Sequence, residues 1–499
     1  MSSRLAALCL SAGLLSACSA TRSETTPERT PPEADVDTGT PLTTATTPSD
    51  TGPVSTPGPL AASCSLQDDN PLRMTCRVTT TQAETVRVIV TETATGQSRV
   101  WRTAEAATEA TVRVGLLPPD SPHTWRVEGE VSGALAEGAL STGALPAAGA
   151  YTVLGERDDP RSDHLLVPMG CGVAPTLTVV DGHDRVVWLQ SFPESSQLVA
   201  AVATDRGSFV ALLDENRLVE VTYGGEVRLD LDLVALLDRP AHHDVSVSDG
   251  RIQVLTAFET IGSDGRRYVV DGVALIDPDG TVAGRWDLTD WLEPSGGPTD
   301  LLSAYWFSWF PGALDWSHAN TVQPGPPGTM LVSFRHLHTV VQVRSDPEAP
   351  DFGVVDWWLS GPRSVVDGGL ILTATPELPE PHDFAYQHHA TLDDTGRLLL
   401  FDNRDSLDGL PSRALALSLD TRTAHLEQTW PLPDFCPFQG GAVALGDDRV
   451  LVTCAQVPYA LELGADGTIH RHFEPACPEG WDHASRILPW VPPEEITVP

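Results

Sequence analysis

A hairpin recurs six times along this chain, and that repetition constrains the fold more than any other feature. The copies are LTVVDGHDRVVWL (177–189), LVEVTYGGEVRLDLDL (218–233), VALIDPDGTVAGRWDL (273–288), VVQVRSDPEAPDFGVVDWWL (340–359), ALALSLDTRTAHLEQTWPL (414–432) and YALELGADGTIHRHF (459–473). Each sets two β-rich runs around a short turn, usually Asp-Gly or Gly-Gly, which is the chemistry tight hairpins require. Successive copies start roughly 40 to 75 residues apart, enough for four strands plus loops per repeat. Asp-Gly hairpins occur in any large antiparallel protein. The ordered pairing of an inner strand with an outer hairpin favours a propeller over an array of sandwiches. The expectation is an all-β chain with a six-bladed β-propeller over residues 149–492.

Three repeats begin alike: HHDVSVSDGRIQVL with His243, HANTVQPGPPGTMLVSF from His318, and HHATLDDTGRLLLF from His388. Equivalent positions at the start of innermost strands face one central channel, so these imidazoles are expected to meet. Strand alternation puts His318 and Asn320 on one face, and turns His388 and His389 opposite ways. SFRHLHTVVQV places Arg335 one strand over, within reach of the channel mouth. Several imidazoles and a guanidinium suit a tetrahedral oxyanion such as sulfate or phosphate, with one ring nitrogen able to attack. Between the third and fourth repeats, WLEPSGGPTDLLSAYWFSWFPGAL (291–314) is dense in aromatics. Tyr305, Trp306 and Trp309 either sandwich a phenolic ring or plug the gap between blades.

The amino terminus reads as an address. Arg4, the apolar run Leu5 to Leu15 and Leu15-Ser16-Ala17-Cys18 form a lipoprotein signal over 1–18, with Cys18 as the lipidated residue. Ser19 and Ala20 supply no acidic retention residue, which points to the outer membrane of a bacterial cell envelope, or to a periplasmic or extracellular location. Residues 19–58, rich in Thr and Pro, read as a disordered tether. Residues 59–148 alternate in short strands, MTCRVTT, ETVRVIVTET, SRVWRT, TVRVGL and HTWRVEGEV, and are expected to form a small fibronectin-III-like β-sandwich acting as a spacer. No later run is long and apolar enough to span a bilayer.

Composition narrows the chemistry. The formal charge of −37 argues against nucleic acid or an anionic membrane surface as partner, leaving only a lipid anchor to the membrane. All 31 basic residues are Arg, so Schiff-base chemistry and a Lys base are excluded. Of eight cysteines, Cys9 leaves with the signal and Cys18 carries lipid. Cys64 and Cys76 are expected to pair inside the small domain, while Cys171, Cys436, Cys454 and Cys477 allow three connectivities. No Cys-x-x-Cys occurs, and no metal or cofactor is expected.

The runs DWSHANTVQ, LVSFRHLHTVVQV and YQHHATLDDTGRLLLFDN, the HHDV segment and the STGALP junction resemble the bacterial arylsulfotransferases over about 140 to 490. The resemblance implies a six-bladed propeller that moves a sulfuryl group from an aryl sulfate to a phenol by ping-pong transfer, independently of a nucleotide sulfate donor. It implies His388 as the nucleophile that is transiently sulfated. His318 and Arg335 would bind the sulfuryl oxygens, Asn320 would support them, Gln387 just before the nucleophile is taken as a substrate contact, and His243 would be acid or base on the phenolic oxygen. In the last blade Gln439 and Thr453 have no matching motif, and Thr453 is taken as a substrate contact. His242, His336, His338, His382 and His389 neighbour these positions, and His483 could begin the strand that closes the ring. Two other classes compete: a metal-dependent hydrolase or lyase using His243, His318 and His388 as ligands, and a non-catalytic surface-binding lipoprotein.

Overall fold

The computed structural model describes residues 61–146, 152–155, 157–158, 161, 164–169, 174–296, 305–476, 484 and 486–498. The signal segment, Cys18, the tether, Cys171, Cys477 and His483 lie outside them. Six antiparallel sheets of four-strand meanders follow one another in the chain. The first strands of five of them are Leu198–Ala203, Ala241–Ser248, Ala319–Pro324, His388–Leu392 and Gly441–Gly446. Each touches the next in order, so the sheets form a propeller-like ring. The remaining sheet joins Leu488–Trp490 from the end of the chain to His164–Met169, Thr176–Val180 and Val186–Ser191 from its beginning. Pairing of Leu488 to Leu166 and Trp490 to His164 closes the ring by backbone hydrogen bonds between chain segments far apart in sequence.

Strands in the middle of these sheets are covered on both faces by neighbouring sheets, which explains their continuous apolar runs. Every residue of Ser208–Leu213 and of Thr329–Phe334 is buried. The recurrent hairpins adopt the geometry their sequences specify. At DPDG the Gly280 amide bonds Asp277 and Asp277 bonds Thr281, with Gly280 at φ 87° and a register shift beside the turn. A side chain at that φ would be strained, and the extra residue adds local twist.

Five amino-terminal strands appear where the alternation puts them, and Ala61–Leu66 and Gly133–Ser141 add to them. Ala61–Leu66, Met74–Glu84 and Ala107–Val114 form one sheet; Ser98–Thr103, Val86–Glu92, Pro122–Gly129 and Gly133–Ser141 form the other. Cys64 and Cys76 face each other across two strands and are disulfide-bonded. Cys436 and Cys454 form a second bridge, which resolves one pairing that spacing left open.

The strand Glu495–Val498 returns to pair in parallel with Ser98–Thr103, and Val88, Trp101 and Val127 share a continuous core with Trp188, Phe209, Tyr223 and Trp490. Buried apolar area of this kind, at roughly 25 cal/mol per Å², fixes the two parts against each other.

Candidate active site

The starts of the first strands carry backbone strain in a repeating pattern. His243, His318, His389 and Gln439, none of them glycine, sit at φ 54°, 48°, 48° and 53°. Such conformations cost of order 1–3 kcal/mol each and persist where the surroundings enforce them, often at functional sites. Strand pairing shifts register at the same places, between Ala241 and Val245, Ala319 and Thr321, and His388 and Thr391. These bulges break the simple alternation expected from the sequence, so facing cannot be counted in steps of two across them. By backbone conformation it is His389, not His388, that repeats His243 and His318.

The bulges gather the three histidines of the repeats. The rings of His243 and His318 lie 4.8 Å apart, edge to face. His243, Asp244, Asn320, His388, Gln439 and Arg486 line one narrow central cavity together with Val199 to Ala201. Tyr305 covers this group, its ring 4.8 Å from His243 and 5.6 Å from His318.

Each imidazole has its own second partner. Nδ1 of His318 is 2.6 Å from Asp315 Oδ2, and His336, stacked on His318 at 4.5 Å, donates Nδ1 to the Asp315 carbonyl at 2.9 Å. Burial, helped by the His318 ring, holds His336 down at about 4. Nδ1 of His243 meets Nδ1 of His242 at 2.9 Å, and His242 Nε2 lies 3.0 Å from Asp271 Oδ1. Of this Nδ1 pair one ring donates and the other accepts, as the tautomer dictates.

His388 is oriented more tightly still. Asn403 donates Nδ2–H to the carbonyls of Cys436 at 2.7 Å and Gln439 at 3.0 Å, so its Oδ1 faces His388 Nδ1 at 2.6 Å. An amide oxygen only accepts, so Nδ1 carries the proton and Nε2 holds the lone pair. Nε2 takes the Gln439 N–H at 3.2 Å. Burial, and then the charge of Arg335, push the basicity of His388 far below the ordinary range; burial does the same to His243. Both rings are neutral near pH 7.

Arg335 is half-buried at the site. Nη2 donates to the Pro437 carbonyl at 3.3 Å and the guanidinium lies over the Tyr386 ring at 4.6 Å. Asn320 lines the cavity, but its Nδ2 is engaged with the Gln387 carbonyl at 2.7 Å.

Several expected contacts are placed elsewhere. The Gln387 side chain turns into the neighbouring sheet and donates to Ser333, Phe334 and Thr339. Thr453 lies on a second strand and donates to the Ile487 carbonyl at 3.0 Å. Both are braces rather than cavity-lining groups, because a buried polar side chain is drawn to the nearest free backbone carbonyl. Trp306 is fully buried against His242 at 4.8 Å, and Trp309 Nε1 donates to Glu215 at 2.9 Å, so of the three aromatics Tyr305 is the one that packs on His243 and His318.

Asn403, Asp315, Asp271 and Arg486 were not reached from the sequence. Asn403 ends the FDN run, Asp315 precedes His318 by one helical-turn spacing, and Arg486 follows His483 in the segment suspected of closing the ring. Asp271 carries no local signal.

Asp315, His318 and His336 lie close enough to suggest a cation site, with one donor atom of each within 4.8 Å of the others. Their shortest approach is instead the 2.6 Å bond from His318 Nδ1 to Asp315 Oδ2. Two ligands of a tetrahedral ion with bonds of about 2.1 Å stand roughly 3.4 Å apart, so this contact is a hydrogen bond.

A ring of sheets whose channel gathers neutral imidazoles and guanidinium groups suits an anionic ligand. The family model of the arylsulfotransferases (ASST) matches residues 156–440, more than half of the chain. The chain belongs to the arylsulfotransferase family, and sulfuryl transfer is the activity that membership carries. No curated protein matches the sequence. Among solved structures, a protein of unknown function from Bacteroides caccae is 12% identical, over 65% of this chain and 98% of its own, at a TM-score of 0.38. Virginiamycin B lyase from Staphylococcus aureus is 10% identical, over 67% of this chain and 97% of its own, at 0.36. A putative 6-phosphogluconolactonase from Bacteroides uniformis is 14% identical, over 65% and 89%, at 0.38. At such scores the likeness carries no argument about function.

Proposed function

We propose that this protein transfers a sulfuryl group from an aryl sulfate to a phenol by a ping-pong route through sulfated His388, without a nucleotide sulfate donor. The observation that carries the reading is His388 itself, a buried neutral imidazole with Nδ1 tied to Asn403 and a lone pair on Nε2.

In the first half-reaction Nε2 of His388 gives up the Gln439 N–H and attacks sulfur, the S–O(aryl) bond breaks, and the bond pair leaves with the phenolate. The guanidinium of Arg335 and the ring of His318 stabilise the equatorial oxygens as charge shifts onto them. In the second, the acceptor oxygen attacks sulfur, the N–S bond breaks, and the pair returns to Nε2. The phenolic proton passes to the ring of His243, a neutral base oriented through its bond to His242, and then to water. Tyr305 stacks against the aryl group of either substrate.

The ring of six sheets supports a six-bladed propeller, and the three-on-four strand arrangement of 61–141 supports a fibronectin-III-like module. Two disulfides suit an oxidising compartment, and no helix among the described residues is long and apolar enough to cross a membrane. Export with lipidation at Cys18 into the bacterial cell envelope completes the reading.

Intact-protein mass after mixing with 4-nitrophenyl sulfate tests it. A gain of one sulfuryl group on wild type, absent in His388→Ala and lost on adding a phenol, is the expected result. Hydrolysis or binding without that gain would sink the covalent route.

A further inference from the structure

The C-terminal stretch that closes the ring also delivers a second guanidinium to the cavity. Arg486 lies beyond the segment matched by the family model, between Ala484, bridged to Met169, and the closing strand Leu488–Trp490. Its side chain is 11% exposed. Nη1 donates to Asp244 Oδ1 at 2.7 Å and Nη2 approaches the Asn320 carbonyl at 3.4 Å, while Nε is buried with no partner. The same cavity is lined by His388 and Gln439.

Asp244 does not need all of this guanidinium. Its carboxylate also receives the N–H groups of Val245 and Val322 and the Gln323 side chain, each at 3.0 Å. The effect is to clamp one edge of a planar, five-donor group while other donors remain unused beside the nucleophile. Gln439 Oε1, on the same cavity, is also buried with no hydrogen-bond partner among the described residues. An unsatisfied buried polar atom costs roughly 1–3 kcal/mol, and the Nε–H of Arg486 is a donor that an anion in the cavity would satisfy.

We propose that Arg486 is a catalytic residue that, fixed by Asp244, binds an oxygen of the sulfuryl group carried on His388, as a second guanidinium beside Arg335. The assignment rests on the sulfotransferase reading for the identity of the anion.

The test separates anion binding from simple neutralisation of Asp244. Arg486→Gln alone strands a buried carboxylate, so the informative protein is Asp244→Asn/Arg486→Gln, which removes both charges. We expect it to fold, with turnover of 4-nitrophenyl sulfate lowered about 10²- to 10³-fold, as for loss of one oxyanion donor, and both half-reactions slowed. Inorganic sulfate binding, measured by calorimetry, should weaken at least about tenfold. Recovery of turnover and sulfate affinity to within about threefold of wild type would overturn the proposal and leave Arg486 a mere counter-ion. If the double variant does not fold, Arg486→Lys decides: it keeps the charge but cannot span Asp244 and the anion together, so wild-type sulfate affinity in it overturns the proposal. Should wild type bind sulfate through Arg486 yet never become sulfated, the transfer reading fails while the anion site stands.

Discussion

Asn403 holds its side-chain oxygen 2.6 Å from Nδ1 of His388 while its amide nitrogen is spent on the Cys436 and Gln439 carbonyls. The amide cannot flip without losing two bonds, so the tautomer of His388 is set by groups remote from the reacting atoms.

Replacing His388 by Ala should abolish transfer from a chromogenic aryl sulfate while the variant still folds, with a modest drop in melting temperature because the Asn403 oxygen and the Gln439 N–H lose their partner. Half of wild-type turnover in that variant would mean that another group attacks, with adjacent His389 the first to examine.

Asn403→Leu removes the acceptor and should lower kcat about 100-fold by freeing the wrong tautomer. Asn403→Asp keeps an acceptor but adds a negative charge that favours imidazolium. Burial lowers the pKa of His388 in wild type, so its rate should hold as pH falls from 7.5 to about 6. The Asp variant should lose rate over that range as its raised pKa is crossed. Superimposable pH profiles would rule out control by Asn403.

Arg335→Lys keeps the sign of charge but not the planar fork. Turnover should fall roughly 10²- to 10³-fold, with both half-reactions affected. A change confined to the apparent donor affinity would make Arg335 a steering charge at the mouth.

Transfer between a phenol and histidine needs no cation, so prolonged chelation and desalting should leave activity intact. Stoichiometric zinc or calcium in the purified protein, with activity lost on its removal, would bring the metal-dependent reading to the front.

Acid should destabilise the fold through buried histidines. Burial, with the Arg99 charge adding to it, holds His164 down to about 3, and His336 is at about 4, against 6.5 in the unfolded chain. Below pH 6.5 the unfolded state binds protons that these rings refuse. Stability is therefore full above that value and declines as pH falls, by up to about 1.4 kcal/mol per unit for each ring. Denaturant melts at pH 7.5, 6 and 5 read this, and His164→Gln should flatten the slope; an unchanged slope would remove His164 from the account.

The sequence by itself determined the repeating unit and the convergence of chemistry upon it. Asp-Gly turns between β-rich runs specify hairpins locally, and histidines at the start of successive repeats, His243, His318 and His388, must meet once those hairpins stack around a ring. Strand positions in 61–141 and the Cys64–Cys76 bridge were legible for the same reason, since each depends on neighbours close in the chain. Only the tertiary structure decided which face each side chain presents and what stands behind it. Register bulges at Ala241, Ala319 and His388 overrode strand alternation. Packing between sheets turned Gln387 and Thr453 into braces, and brought Asp271 to His242 and Asn403 to His388. Closure of the ring by Leu488–Trp490 carried Arg486 to a cavity whose other polar walls begin at His243, more than two hundred residues earlier. Hairpin geometry is fixed by short-range sterics, whereas a buried polar atom takes whatever partner the packed sheets bring within about 3 Å, and no local pattern encodes that distance.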